Sequence, residues 1–163
     1  MICYERLLNY LREQRVPFEV QHHRLAYAAQ DVAAIEHISN ERMVKVVMVF
    51  ADGVLTMLAL PASHRVDLAH LASAIGAKEV YLAGEREIAA AFPDCEVGAM
   101  PPFGHLYGVR VYVDRLLAND EQIVFQAGTH TETISMAYAE YARLALPIVA
   151  DFARHFREIA TTI

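Results

Sequence analysis

Three places in the chain combine residue types able to do chemistry. Lys45 sets an ammonium one residue into the apolar run Val44-Lys45-Val46-Val47-Met48-Val49-Phe50. A charge there either snorkels to a sheet edge or serves a site. In a site it offers a fixed positive charge to a phosphate or a developing oxyanion, and burial would lower its pKa toward proton transfer. The second place is Gly98-Ala99-Met100-Pro101-Pro102-Phe103-Gly104, a rigid loop bracketed by glycines. Its prolines remove backbone donors and its glycines admit close approach to the main chain. It therefore reads either as a tight connection or as a set of N–H groups for a carbonyl or oxyanion. In the third, Gln126-Ala127-Gly128-Thr129-His130, a strand candidate runs into glycine and ends on a histidine, which suits proton handling near neutral pH. His22 closes another strand candidate and could face the same site.

Other chemistries lack their signatures. His23, His64, His70, His105 and His155 fit surface or hydrogen-bonded structural positions, and none stands in an HExxH or paired Cys/His spacing. No metal site and no cofactor is assigned. There is no GxSxG elbow, Ser63 has no recognisable partner set, and Cys95 has no evident activating base, so covalent catalysis is not expected. A P-loop and a GxGxxG fingerprint are also missing, which removes the usual modes of nucleoside triphosphate and dinucleotide binding.

The elements that must position these groups fit one domain spanning residues 1–163. Apolar residues make up 55% of the chain and charged residues 21%, with only 7 Gly and 6 Pro, which excludes disordered, collagen-like and linker compositions. Cys3 and Cys95 are far apart and give no CxxC pair and no disulfide framework, and the N-terminus lacks a signal-peptide pattern. A reducing, cytoplasmic setting is the expectation. The longest uncharged stretches, Gly53 to His64 and Val97 to Val109, are too short for a membrane helix. A formal charge of −6 argues against non-specific coating of nucleic acid, so neither a membrane nor DNA is expected as a partner.

Periodicity supplies the scaffold. Tyr4, Leu7, Leu8 and Leu11 share a helical face that stops at Val16-Pro17. A short strand over Phe18 to His22 and a helix over Ala28 to Glu36 follow. Val44 to Phe50 and Val54 to Leu60 form a hairpin through Ala51-Asp52-Gly53, with both strands expected to be buried on two faces. Leu68 to Ile75 reads as a helix capped by Gly76, Glu79 to Leu82 as a strand, and Glu85 to Phe92 as a helix stopped by Pro93. After the loop from Asp94 to Gly108 come strand candidates Val109 to Asp114, Ile123 to Ala127 and Thr133 to Met136. Ile148, Phe152, Phe156 and Ile159 predict a closing helix after Pro147. The hairpin forbids a purely parallel sheet, so the expected class is α+β, a mixed, mostly antiparallel sheet with helices packed around it.

The order and spacing of these features resemble the YbaK/EbsC family and the related editing domain inserted in bacterial prolyl-tRNA synthetases. The likeness runs through Val20-Gln21-His22, Arg42-Met43-Val44-Lys45-Val46-Val47, Leu60-Pro61-Ala62, the segment Gly98 to Gly104, and Ala127-Gly128-Thr129-His130, covering nearly the whole chain. It implies an aminoacyl-tRNA deacylase that hydrolyses the ester joining a wrong amino acid to the tRNA 3′ end, often of tRNA for proline. It further implies that Lys45 contacts the terminal adenosine or its phosphate, that Gly98 and its loop hold the ester carbonyl, and that His130 lines the aminoacyl pocket. His22, Met100, Pro101, Pro102, Phe103, Gly104, Gly128 and Thr129 are implied as substrate-binding. Attack by a water, or assistance from the ribose hydroxyl, would account for the missing nucleophile.

Gly98 to Pro102 keeps the family's Gly-x-x-x-Pro spacing, at a place where members differ with substrate. Alanine, serine, threonine and cysteine all remain candidates for the amino acid removed. The acidic charge is reconciled with a tRNA ligand if Arg42 and Lys45, with Arg65, Lys78 or Arg110, serve only the acceptor end. A synthetase or an elongation factor would then supply the rest of the affinity. The alternative classes are a non-catalytic nucleotide- or partner-binding module on the same fold, and a hydrolase of small esters or thioesters that needs no tRNA body.

Overall fold

A computed structural model describes residues 2–155. Helix α1 (Cys3–Glu13) buries Leu7, Leu8 and Leu11, as their spacing requires, and leads into β1 (Phe18–His22) and α2 (Ala29–Glu36). The hairpin is β2 (Val44–Ala51) and β3 (Val54–Pro61), in a register that sets Lys45 opposite Leu60. Then come β4 (His64–Val66), α3 (Leu68–Ile75), β5 (Val80–Leu82) and α4 (Glu85–Ala91). The Asp67 carboxylate caps α3 by accepting from His70 N–H at 3.1 Å, and Gly76 closes it in the left-handed region. After the loop and a 3₁₀ turn (Gly104–Tyr107) the chain adds β6 (Arg110–Asp114), α5 (Arg115–Ala118), β7 (Gln122–Gln126), β8 (Glu132–Ala137), α6 (Tyr138–Ala145), β9 (Ile148–Ala150) and β10 (Ala153–His155). None of the described helices is long and apolar enough to cross a membrane.

The strands form a five-stranded sheet in the order β5-β2-β3-β6-β9, a three-stranded sheet β1-β8-β7, and a pair β10-β4. Pairing is antiparallel except where β6 lies between β3 and β9, so the architecture is the expected mixed, mostly antiparallel one. The main core joins α1, α6 and both larger sheets through Leu7, Leu11, Val113, Phe125, Ile134 and Tyr141, with Phe103 of the loop at its centre. Of the hairpin strands, β3 is buried along most of its length. β2 is only partly so, because Lys45, Val46 and Val47 are half-exposed, against the expectation of burial on both faces. Val46 and Lys45 open onto a cavity.

Two expectations are corrected. The tail does not close as a helix over 148–155. Leu146 ends α6 with φ 48°, β9 pairs with β6, and the buried Asp114 carboxylate accepts from Phe152 N–H at 2.8 Å and Ala153 N–H at 2.9 Å, holding them extended. Phe152 fills the cluster of Val49, Leu58, Leu71 and Tyr112 from a loop rather than a helix face, while Phe156 and Ile159 lie outside the described residues. The last of the described helices is instead α6, which the sequence pattern did not single out. The cysteines are also joined: Cys3 and Cys95, separated by 92 residues, form a disulfide with Cα atoms 4.8 Å apart. Cys3 N–H donates to Asp94 O at 2.8 Å, so the packing of α1 on the loop creates a proximity that spacing along the chain does not carry.

Asp114→Ala strips the acceptor from Leu116, Phe152 and Ala153 N–H groups. It is expected to cost about 2–4 kcal/mol in urea unfolding, with Asp114→Asn in between. Reducing the Cys3–Cys95 link frees a long loop of the unfolded chain. The expected loss is about 2–4 kcal/mol, read as the denaturant midpoint with and without reductant, and matched by Cys3→Ser.

Candidate active site

A cavity of about 330 Å³ is lined by Tyr27, Ala28, Ala29, Gln30, Lys45, Val46, Ala62, Arg65, Gly98 and Gln126. Three sources of positive potential meet there. Lys45 is the second residue of β2 and donates from Nζ to His64 O at 3.4 Å. Burial, and secondarily the Arg65 guanidinium, hold its pKa below the ordinary lysine value. Arg65 is carried by β4, and the N-terminus of α2 enters with no side-chain cap on its first turn. Helix N-termini present N–H groups and partial positive charge, so with the two cations they suit a phosphate or a developing oxyanion.

Gly98 lines the same cavity. Its φ of +90° is one that L side chains rarely adopt, and a Cβ there would face His130 Cε1 at 3.6 Å. Its N–H points at Met100 Sδ at 3.2 Å, a weak acceptor that an ester carbonyl can displace. Neighbouring N–H groups are committed: Glu96 to Gly128 O, Ala99 to Glu96 O and Phe103 to Pro101 O.

His130 stands beside Gly98, 7% exposed, with its backbone N–H on Glu96 Oε2 at 2.7 Å and the Tyr27 ring 4.7 Å from its own, centroid to centroid. Its Nε2 lies 2.9 Å from the Val97 carbonyl. A carbonyl only accepts, so Nε2 carries the proton and Nδ1 is the acceptor of the neutral ring. Nδ1 is buried with no hydrogen-bond partner among the described residues.

The structure thus brings Lys45 and Gly98 to one cavity, with His130 adjoining, and places the other residues singled out in the sequence elsewhere. Met100, Pro101, Pro102, Phe103 and Gly104 are buried and do not line it. They hold the loop from behind: Tyr141 Oη donates to Pro102 O at 2.8 Å, and the Phe103 ring packs 5.2 Å from that of Tyr141. Gly104 admits the Val109 carbonyl, which a Cβ would meet at 2.7 Å. Gly128 has φ +94° and lies over Cys3, and Thr129 Oγ1 accepts from Thr131 N–H at 3.3 Å. His22 is exposed at the end of β1, in register with Glu132. Of the basic residues considered for the acceptor end, Arg65 shares the cavity with Lys45, while Arg42 lines a groove of about 450 Å³ at the opposite end of α2. Arg110 lies by the Asp52 turn of the hairpin, and Lys78 N–H binds the Asp52 carboxylate at 3.0 Å.

Tyr27 and the start of α2 were not singled out from the sequence, and Gln126 stood only as the first residue of the third motif, with no role given to it. Tyr27 sits in an Ala-rich segment without a motif, whereas Gln126 left a trace, being the one polar residue closing the apolar strand Ile123-Val124-Phe125.

Comparison with known proteins supplies the class of reaction. The chain is 28% identical over 160 residues, 94% of each protein, to the multifunctional Ser/Thr-tRNA deacylase ProXp-y of Escherichia coli (strain K12), and equally to that of Escherichia coli O157:H7. The fold superposes at a TM-score of 0.81 and 18% identity on the crystal structure of a candidate trans-editing enzyme for prolyl tRNA synthetase, covering 93% of this chain and 97% of that one. A sequence profile of the aminoacyl-tRNA editing domain matches residues 23–144. The chain therefore belongs to the aminoacyl-tRNA editing domain family, as a hydrolase of the ester bond in mischarged aminoacyl-tRNA.

Proposed function

We propose that residues 1–163 act as one domain, a cytoplasmic trans-editing deacylase for tRNA for proline charged with a small wrong amino acid. The serine and threonine named for the Escherichia coli relative are the first candidates. The observation that carries this reading is that Lys45, Arg65, the uncapped start of α2 and Gly98 line one cavity. That pairs a site for the terminal phosphate or adenosine with a donor for the ester carbonyl.

In this arrangement the Lys45 ammonium holds the terminal nucleotide, and Gly98 N–H leaves the Met100 sulfur for the carbonyl oxygen. Water attacks the carbonyl carbon, or the ribose hydroxyl assists. The bond to the ribose oxygen breaks, that oxygen takes one proton of the water, and the amino acid leaves as its carboxylate, the other proton passing to solvent. His130 backs the aminoacyl pocket through Tyr27 and the Glu96–Gly98 segment. With a net charge of −6, the chain relies on a synthetase or an elongation factor for further tRNA affinity.

Hydrolysis of tRNA carrying alanine, serine, threonine or cysteine is the direct test. At least one ester is expected to be cleaved, with a loss of about tenfold to hundredfold in Lys45→Ala, the range for a charged hydrogen bond. Binding should weaken steeply with salt. No hydrolysis of any ester would overturn the reading. The pH profile gives a second check. Lys45 is charged below its lowered pKa and loses that charge as pH rises through it. After subtraction of spontaneous hydrolysis, activity should fall on the alkaline side below the ordinary lysine range. Lys45→Arg, which stays charged, should move that limb upward.

A further inference from the structure

Gln126 ends β7 and lines the cavity with Lys45 and Gly98. It is 6% exposed, and its Oε1 is buried with no hydrogen-bond partner among the described residues. A buried acceptor left unpaired costs free energy comparable to a lost hydrogen bond, and native structures keep few of them. A turn of the carboxamide about its soft terminal torsion would bring that oxygen to a molecule bound in the cavity. Resting on the deacylase reading above, we propose that Gln126 is a specificity-determining residue, its carboxamide binding the side-chain hydroxyl of the amino acid being removed.

Two arguments select the hydroxyl over the α-ammonium. Lys45 and Arg65 line the same cavity, so a third cation beside them is repelled. The amide also offers an acceptor at one end and donors at the other, and its terminal torsion is soft. A hydroxyl both donates and accepts, so it fits whichever end turns toward the cavity. An ammonium only donates. Gln126 thereby becomes a specificity residue, separate from Lys45 and from the Gly98 N–H, which meet parts of the substrate common to every ester.

Seryl and alanyl tRNA differ by the one hydroxyl. A site built to bind a hydroxyl rejects the analogue that lacks it, so wild-type kcat/KM should favour the seryl ester by at least about tenfold, and Gln126→Leu should abolish most of that ratio. Gln126→Met, close in volume and shape, should do the same. Thermal melts check that both variants fold. Without any variant, 3′-amino-3′-deoxyadenosine carrying serine through an amide should bind the wild type about tenfold tighter than the alanine amide. A seryl-to-alanyl ratio unchanged in both variants, whether both rates fall together or neither does, would overturn the inference by assigning Gln126 to the ribose, the water or nothing. Wild-type cleavage of the alanyl but not the seryl ester would overturn it and leave the deacylase reading standing. Cleavage of no ester would remove both.

Discussion

A half-buried ammonium on a sheet strand has to be held where its charge is tolerated, and much of the molecule is arranged around that requirement. Lys45 is placed by the register of the hairpin, opposite Leu60. Arg65 is brought beside it by β4, which is held in turn by pairing with β10. The strand β10 begins where the Asp114 carboxylate takes the N–H groups of Phe152 and Ala153. A buried acid at the end of β6 thus fixes a cation at the cavity through two intervening strands. The third positive element, the start of α2, is set by the other end of that helix. There the buried Glu36 carboxylate accepts from Thr133 Oγ1 at 2.7 Å and faces His23 Nε2 at 3.6 Å. Burial pushes the Glu36 pKa up, opposed by the Thr133 hydroxyl and by His23.

The loop that carries Gly98 follows a different logic. Gly98 supplies main chain alone, and its conformation is maintained by contacts that carry no chemistry of their own. Phe103 and Tyr141 anchor the prolines, His130 ties down Glu96 and Val97, and Cys3 links to the residue before Glu96. The family's motif residues in this loop divide accordingly into one that meets the cavity and several that hold it in place. The separation matters for specificity. In the proposed reading a main-chain donor treats all esters alike, which leaves discrimination among amino acids to side chains of the lining such as Gln126 and Tyr27.

Much of this was legible in the residues. Helix α1, the hairpin and α3 follow from apolar spacing and turn chemistry, and Lys45 and Gly98 stood out because each breaks the pattern around it. The failures have physical causes. Ile148 and Phe152 stand four apart as on a helix, yet Ile148 sits exposed on an edge strand while Phe152 is buried. The hydrogen bonds that decide this come from Asp114, far away in the chain. The Cys3–Cys95 link and the placement of Gln126 also depend on tertiary neighbours. In the segment Met100 to Gly104 the residue types were informative, but periodicity could not say whether they faced substrate or core.

The topology also sets when the cavity comes into being. The strand β1 is made early, yet among the described strands it pairs only with β8, which is made late, and β8 in turn holds β7 with Gln126 at its end. Contacts this distant along the chain are closed slowly, because the intervening loop must lose its entropy before they reward it. During synthesis, Lys45 and Gly98 leave the ribosome well before the strands that complete their surroundings. A nascent chain therefore carries the lysine and the loop without the pocket, and ester cleavage begins only once the last third of the protein has emerged and folded.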